Sequence, residues 1–127
     1  VFSDLPLFSA DEFEEIVRRH LAGAARQVTL VRDRFGMGTN VRLCSPGDLL
    51  PPLYGRNSAS EYQKAAVACG AELLVVESDR LSHDLDQPAD IDAIFDLEHG
   101  RLLPSAFHAT FKGWVGCDVS RRQDKCA

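Results

Sequence analysis

Three polar segments, each placed where a run of strand-forming residues ends, set the strongest limit on how this chain can fold. They are Ser3-Asp4-Leu5-Pro6, Asp33-Arg34-Phe35-Gly36-Met37-Gly38-Thr39-Asn40 and His83-Asp84-Leu85-Asp86-Gln87-Pro88. Helical patterns separate them. Ser9-Ala10-Asp11-Glu12 is a capping box, a serine N-cap answered three residues later by glutamate. Phe13, Ile16, Val17, His20 and Leu21 then recur at helical spacing, with Gly23 just beyond. Val28 to Arg32 and Val41 to Cys44 are short β-type runs on either side of the middle segment. Ser45 to Asn57 holds three prolines and two glycines and reads as a loop. Ser58-Ala59-Ser60-Glu61 reads as a second capping box, opening a helix with Tyr62, Ala65, Ala66 and Cys69 inward and Gly70 as its stop. Ala71 to Val76 is nearly all apolar, the pattern of a strand buried on both faces. Pro88 suits the first turn of a third helix, capped by Asp86 or Gln87 and turning Ile91, Ile94 and Phe95 inward.

Strands separated by helices predict α/β layering with a mixed, mainly parallel sheet. Ligands of such sheets bind beyond the carboxyl ends of the strands. All three polar segments fall at that kind of position, and Val1-Phe2 reads as the end of a strand leading into Asp4. Residues 1–99 read as the C-terminal half of one domain. Beyond Gly100 the periodicity dissolves into an extension with Phe107, Phe111 and Trp114 and a polar end.

The formal net charge of −5 argues against a nucleic-acid or anionic-membrane surface, either of which selects a basic face. It leaves room for a small anionic substrate, because a bound cation can oppose the overall charge. No apolar run approaches the roughly 20 residues that span a bilayer, and no secretory signal pattern is visible. Cys44 and Cys69 sit among apolar residues as small hydrophobes. Cys117 and Cys126 lack zinc-knuckle spacing. A reducing, cytoplasmic setting is the expectation.

The chemistry of the segments is that of phosphate and hard cations. Asp4, held at a strand end and followed by Leu5-Pro6, is a hard oxygen ligand suited to magnesium. Asp84 and Asp86 alternate on an extended stretch, so one can ligate metal while the other caps the Pro88 helix. Gly36 and Gly38 let backbone amides approach a phosphate, and Thr39 and Asn40 add donors. The helix opening at Asn57 and Ser58, beside Arg56, offers free amides to an anion. Each feature alone also has a structural reading: a turn or cap aspartate, a tight hairpin, ordinary helix capping. The glycine segment lacks the G-K-[ST] ending of a Walker A loop and the third glycine and following helix of a dinucleotide fingerprint. No G-x-S-x-G elbow or cysteine–histidine nucleophile pattern is present.

Taken in order, S-D-L-P, D-R-x-G-x-G-T-N, P-P-x-Y-G-R-N-S and D-L-D-Q-P-A-D-I resemble the second half of the 2-phospho-L-lactate guanylyltransferases, including those that take phosphoenolpyruvate or 3-phosphoglycerate. The resemblance spans about residues 1 to 97. It implies a Rossmann-related, glycosyltransferase-A-like nucleotidyltransferase fold and a reaction that joins GTP to a phosphorylated acid with release of pyrophosphate, in the making of the deazaflavin coenzyme F-420. It further implies that Asp4 and Asp84 hold Mg2+ with Asp86 nearby, and that Thr39, Gly55 and Ser58, beside Gly38 and Asn40, contact the acid. The family's nucleotide-binding opening has no counterpart here, so a missing N-terminal half, a homodimer partner or a second chain is expected to complete the unit. Two other readings stand beside this one. The first is a nucleotidyltransferase of the same fold acting on a molybdopterin or a sugar phosphate. The second is a truncated, non-catalytic domain that binds a partner.

Overall fold

The fold was analysed in a computed structural model, which describes residues 4–98. These divide into two compact units, one running to Asp86 and one beginning at Gln87. The strand end expected at Val1-Phe2 and the extension beyond Gly100, with Cys117 and Cys126, lie outside the described residues.

The first unit contains helix α1 (Ala10–Leu21), strands β1 (Gln27–Arg32) and β2 (Thr39–Ser45), helix α2 (Ser58–Ala68) and strand β3 (Glu72–Val75). The sheet order is β2-β1-β3. β1 pairs antiparallel with β2 and parallel with β3. The sheet is therefore mixed, and among the described strands it is not mainly parallel. The Asp33–Gly38 turn joins β1 to β2 directly, and a turn that short can only make antiparallel neighbours.

Alternation along β1 sends its side chains to two cores. Val28 and Leu30 pack with Leu50, Tyr62 and Ala66 on the α2 side. Val31 packs with Ile16, Val41, Val76, Leu81 and Leu5 on the α1 side. β3 follows the same rule, with Leu73 joining the first cluster and Leu74 the second. Burying a large aliphatic side chain of this kind contributes about 1.5–3 kcal/mol, so the two faces stabilise the sheet jointly.

α1 begins as its sequence dictates: the Glu12 amide donates to Ser9 Oγ at 3.4 Å. Ile16 and His20 are buried, whereas Leu21 is 73% exposed and does not join the inward stripe. α2 begins differently from the expected capping box. Its N-cap is Asn57, and Ser58, inside the helix, turns its hydroxyl to Thr39 instead. β3 also departs from expectation. It is half exposed because, among the described residues, it pairs on one edge only, and Glu72 and Val75 face outward.

The second unit holds α3 (Pro88–Glu98), with proline in the first turn as expected. Its start is capped by Asp90, whose Oδ2 accepts from the Gln87 amide at 2.8 Å. Ile94 is buried, and the Phe95 side chain lies outside the described ones.

His20 links α1 to the sheet. Its Nδ1 lies 2.8 Å from Thr29 Oγ1 and its Nε2 lies 2.8 Å from Ser45 Oγ. Burial lowers its pKa below the ordinary histidine value. The folded protein therefore holds His20 neutral at a pH where the unfolded chain has begun to protonate it. This contribution to stability is complete above about pH 6.5, the unfolded value. It falls as pH drops towards the lowered folded value, with a slope of at most about 1.4 kcal/mol per pH unit for one proton. Urea unfolding between pH 7.5 and 5 should show this loss, and His20→Gln should flatten it.

Candidate functional site

A cleft opens at the end of the sheet where β1 gives way to β2. Four separate segments line it: Asp4; Thr39 and Asn40; Leu53, Tyr54, Gly55 and Ser58; and Asp84 and Asp86. Separate local causes bring each segment there.

The hairpin turn carries Thr39 and Asn40. Gly36 adopts φ +73°, a conformation that favours glycine. The Gly36 amide donates to the Asp33 carbonyl at 3.0 Å, and the Asp33 amide donates to the Gly38 carbonyl at 3.1 Å. Asp33 Oδ1 accepts from the Met37 amide at 2.9 Å. A Cβ on Gly38 would stand 2.6 Å from Asp33 Oδ2, so this glycine makes room for the carboxylate that braces the turn. These contacts give the glycine segment a structural task. Gly38 lies in the turn and is not part of the cleft lining, unlike its neighbours Thr39 and Asn40.

The register from β1 to β2 slips between Val31 and Arg32: Val31 faces Val41 and Arg32 faces Thr39. Asn40 is the extra residue of this β-bulge, and a bulge re-aims its side chain. Asn40 Nδ2 donates to the Leu81 carbonyl at 3.0 Å and approaches Asp84 Oδ1 at 3.4 Å. The Leu81 carbonyl belongs to a turn held by Ser78, whose Oγ accepts from the Leu81 amide at 2.9 Å. On the other flank the Leu85 amide donates to the Asp4 carbonyl at 3.0 Å. Asp4, Asp84 and Asp86 thus come to one wall. Asp84 and Asp86 both border the cleft, and the chain bends at Asp86 and Gln87 just before the Pro88 helix.

The opposite wall is the start of α2. Gly55 has φ +108°, which a side chain would strain. Ser58 Oγ donates to Thr39 Oγ1 at 3.1 Å, and both residues are buried. The helix does not present all its first amides to an anion. The Ser58 amide donates to the Gly55 carbonyl and the Ala59 amide to the Met37 carbonyl, each at 3.0 Å. Arg56 is exposed and absent from the lining.

Asp4 Oδ1 is buried and has no hydrogen-bond partner. A buried carboxylate oxygen left unpaired costs free energy that a cation would offset. Among the described residues no three His, Cys, Asp or Glu side chains close into a metal centre. The three carboxylates share the wall without forming a complete ligand set.

A second cleft adjoins the first and shares Thr39, Asn40, Leu53 and Tyr54 with it, adding Arg42, Pro52 and Tyr62. Tyr62 was expected inward on its helix and Pro52 falls in the P-P-x-Y-G-R-N-S motif, whereas Arg42 carried no sequence expectation. Arg42 pairs with Leu30 on β1, which places it on the face that packs against α2, and no linear motif marks it.

Curated relatives agree with the motif resemblance. A protein of Thermobaculum terrenum named phosphoenolpyruvate guanylyltransferase is 35% identical over 91 residues, which is 72% of this chain and 39% of that protein. Proteins of the same name from Sphaerobacter thermophilus and Conexibacter woesei are 33% and 32% identical over 94 residues, 74% of this chain in each case and 44% and 42% of theirs. The chain spans about two fifths of the length of the curated relatives it matches. No protein-family model matches it. Over roughly three quarters of its own length, the chain is a homologue of proteins named phosphoenolpyruvate guanylyltransferase.

If Asn40 holds the two flanks of the cleft together, Asn40→Ala should cost about 1–3 kcal/mol, the usual penalty for a buried carbonyl that loses its donor. Asn40→Asp should cost more, since it sets a second carboxylate against Asp84. Chemical denaturation of the two variants checks both.

Proposed function

We propose that this chain carries the metal-binding and acid-binding part of a guanylyltransferase that joins GTP to a small phosphorylated acid, as in deazaflavin coenzyme F-420 biosynthesis. The observation that carries this reading is the convergence of Asp4, Asp84 and Asp86 on one wall of a cleft whose other wall presents Thr39, Gly55 and Ser58. The homologues' shared name supports GTP and phosphoenolpyruvate as the substrate pair. 2-Phospholactate and 3-phosphoglycerate carry the same two anionic groups and remain within the substrate class.

In the proposed reaction a phosphate oxygen of the acid forms a bond to the α-phosphorus of GTP. The bond from that phosphorus to the β-phosphate bridging oxygen breaks, and pyrophosphate leaves with the electron pair. Such transfer depends on positioning and charge neutralisation more than on covalent help from the protein. Magnesium, when bound, would offset the charge gathering on the phosphates. Asp4 and Asp84 would hold it, with Asp86 alongside. The unpaired Asp4 Oδ1 suits that role. So does an incomplete protein ligand set, because magnesium is commonly held by one or two carboxylates together with substrate phosphates and water.

The side chains on the other wall orient the acid. The Ser58 hydroxyl donates to Thr39 Oγ1, which leaves the Thr39 hydroxyl proton free to point at a substrate oxygen. Gly55 brings backbone close to the bound acid with no Cβ in the way. The bulged Asn40 keeps Asp84 in position. Recognition of the guanine base would fall to protein outside this chain, whether the remainder of a longer polypeptide, a dimer partner or a second chain.

Magnesium-dependent pyrophosphate release from GTP and phosphoenolpyruvate, 2-phospholactate or 3-phosphoglycerate by the native gene product tests the reading, alongside its intact mass. Asp4→Ala and Asp84→Ala should each lower that release at least ~100-fold while circular dichroism stays unchanged. Full activity in both variants would refute the assignment, and turnover of a sugar phosphate alone would transfer the site to another nucleotidyl acceptor.

A further inference from the structure

The two adjoining clefts share Thr39, Asn40, Leu53 and Tyr54 and carry opposite charge on their remaining linings. Among the described residues, the end at Asp4, Asp84 and Asp86 has no cationic side chain on its lining. The other end has Arg42. Thr39 and Asn40 border both.

Arg42 is fixed in place by the protein around it. Its Nη1 donates to the Leu50 carbonyl at 2.9 Å, and its guanidinium carbon lies 5.5 Å from the centre of the Tyr62 ring. The Tyr62 hydroxyl in turn accepts from the Leu53 amide at 2.7 Å, fastening the loop that closes this end. A guanidinium has five N–H donors in a rigid fork, and the Leu50 carbonyl takes one. Little side-chain entropy is left to lose when an anion arrives, which is the condition for a selective contact.

We infer that Arg42 selects the carboxylate of the substrate. The phosphorylated acid lies along the groove with its phosphate towards the aspartate end and its carboxylate against the Arg42 guanidinium. This inference rests on the guanylyltransferase reading, which supplies a substrate bearing both anions. The aspartates at one end repel a small anion there. A charge-assisted, two-pronged contact to Arg42 at the other end offsets that repulsion and fixes the direction in which the acid enters. Arg42 is therefore a specificity residue: it tells a phosphorylated acid from a simple phosphate ester.

The test pairs 2-phospholactate with isopropyl phosphate, in which a methyl group replaces the carboxylate. Binding of each is measured by calorimetry to the native full-length protein with magnesium and a non-hydrolysable GTP analogue, for wild type and Arg42→Gln. Wild type should bind the acid at least ~10-fold more tightly than the ester, and Arg42→Gln should shrink that ratio to about twofold or less. A variant that weakens both ligands equally assigns Arg42 a structural role and overturns the inference. An unchanged ratio, or no preference in wild type, overturns it as well. Pyrophosphate release is scored separately. Release with an unchanged ratio rejects the role of Arg42 and keeps the guanylyltransferase reading. A ratio that collapses in the variant, without release from wild type, does the reverse.

Discussion

The link between the hairpin and the aspartate wall depends on one displaced residue. The β-bulge at Asn40 breaks the regular ladder between β1 and β2 and turns a side-chain amide towards the Leu81 carbonyl and Asp84. Without the bulge, Asn40 would sit opposite a β1 partner and its side chain would stand over the sheet face. With it, the hairpin grips a segment 41 residues further along the chain. The Leu85–Asp4 backbone bond then ties in the first described segment. Two hydrogen bonds to main-chain carbonyls thus assemble carboxylates that are remote in sequence.

The charge pattern follows from that assembly. A cleft with three aspartates would be a poor host for phosphates on its own, and Asp4 Oδ1 is buried in it without a hydrogen-bond partner. Arg42 provides the fixed positive charge at the far end. The chain's net charge of −5 therefore says little about its ligand. What matters is the order of charges along a groove a few residues long.

Several elements could be read from the sequence. Ser9 and Glu12 marked the start of α1, Pro88 marked the start of α3, and Gly70, at φ +67°, stands just past α2. These are local signals, and local chemistry decides them. The errors share a different cause. Ser58 matched a capping box, but a neighbouring strand offered its hydroxyl a better partner in Thr39. Ala71 to Val76 looked doubly buried because its composition is apolar, yet burial depends on how many strands stand beside it. The aspartates of the cleft were visible as motifs, whereas Arg42 was not. Its significance comes from the Leu50 carbonyl, the Tyr62 ring and a shared lining, none of which a linear pattern displays.

The loop between β2 and α2 is fastened at both ends of the part that lines the clefts. Arg42 holds Leu50, Tyr62 holds Leu53, and the Met37 carbonyl takes the Ala59 amide at the helix start. The stretch from Pro46 to Asp48 hangs outside these fastenings and is exposed. Changes of length or composition there leave the aspartate wall undisturbed, whereas exchanges at Pro52, Leu53 or Tyr54 reshape the groove directly. A protein built this way can change what its groove accepts through three or four neighbouring positions, with the rest of the architecture held constant.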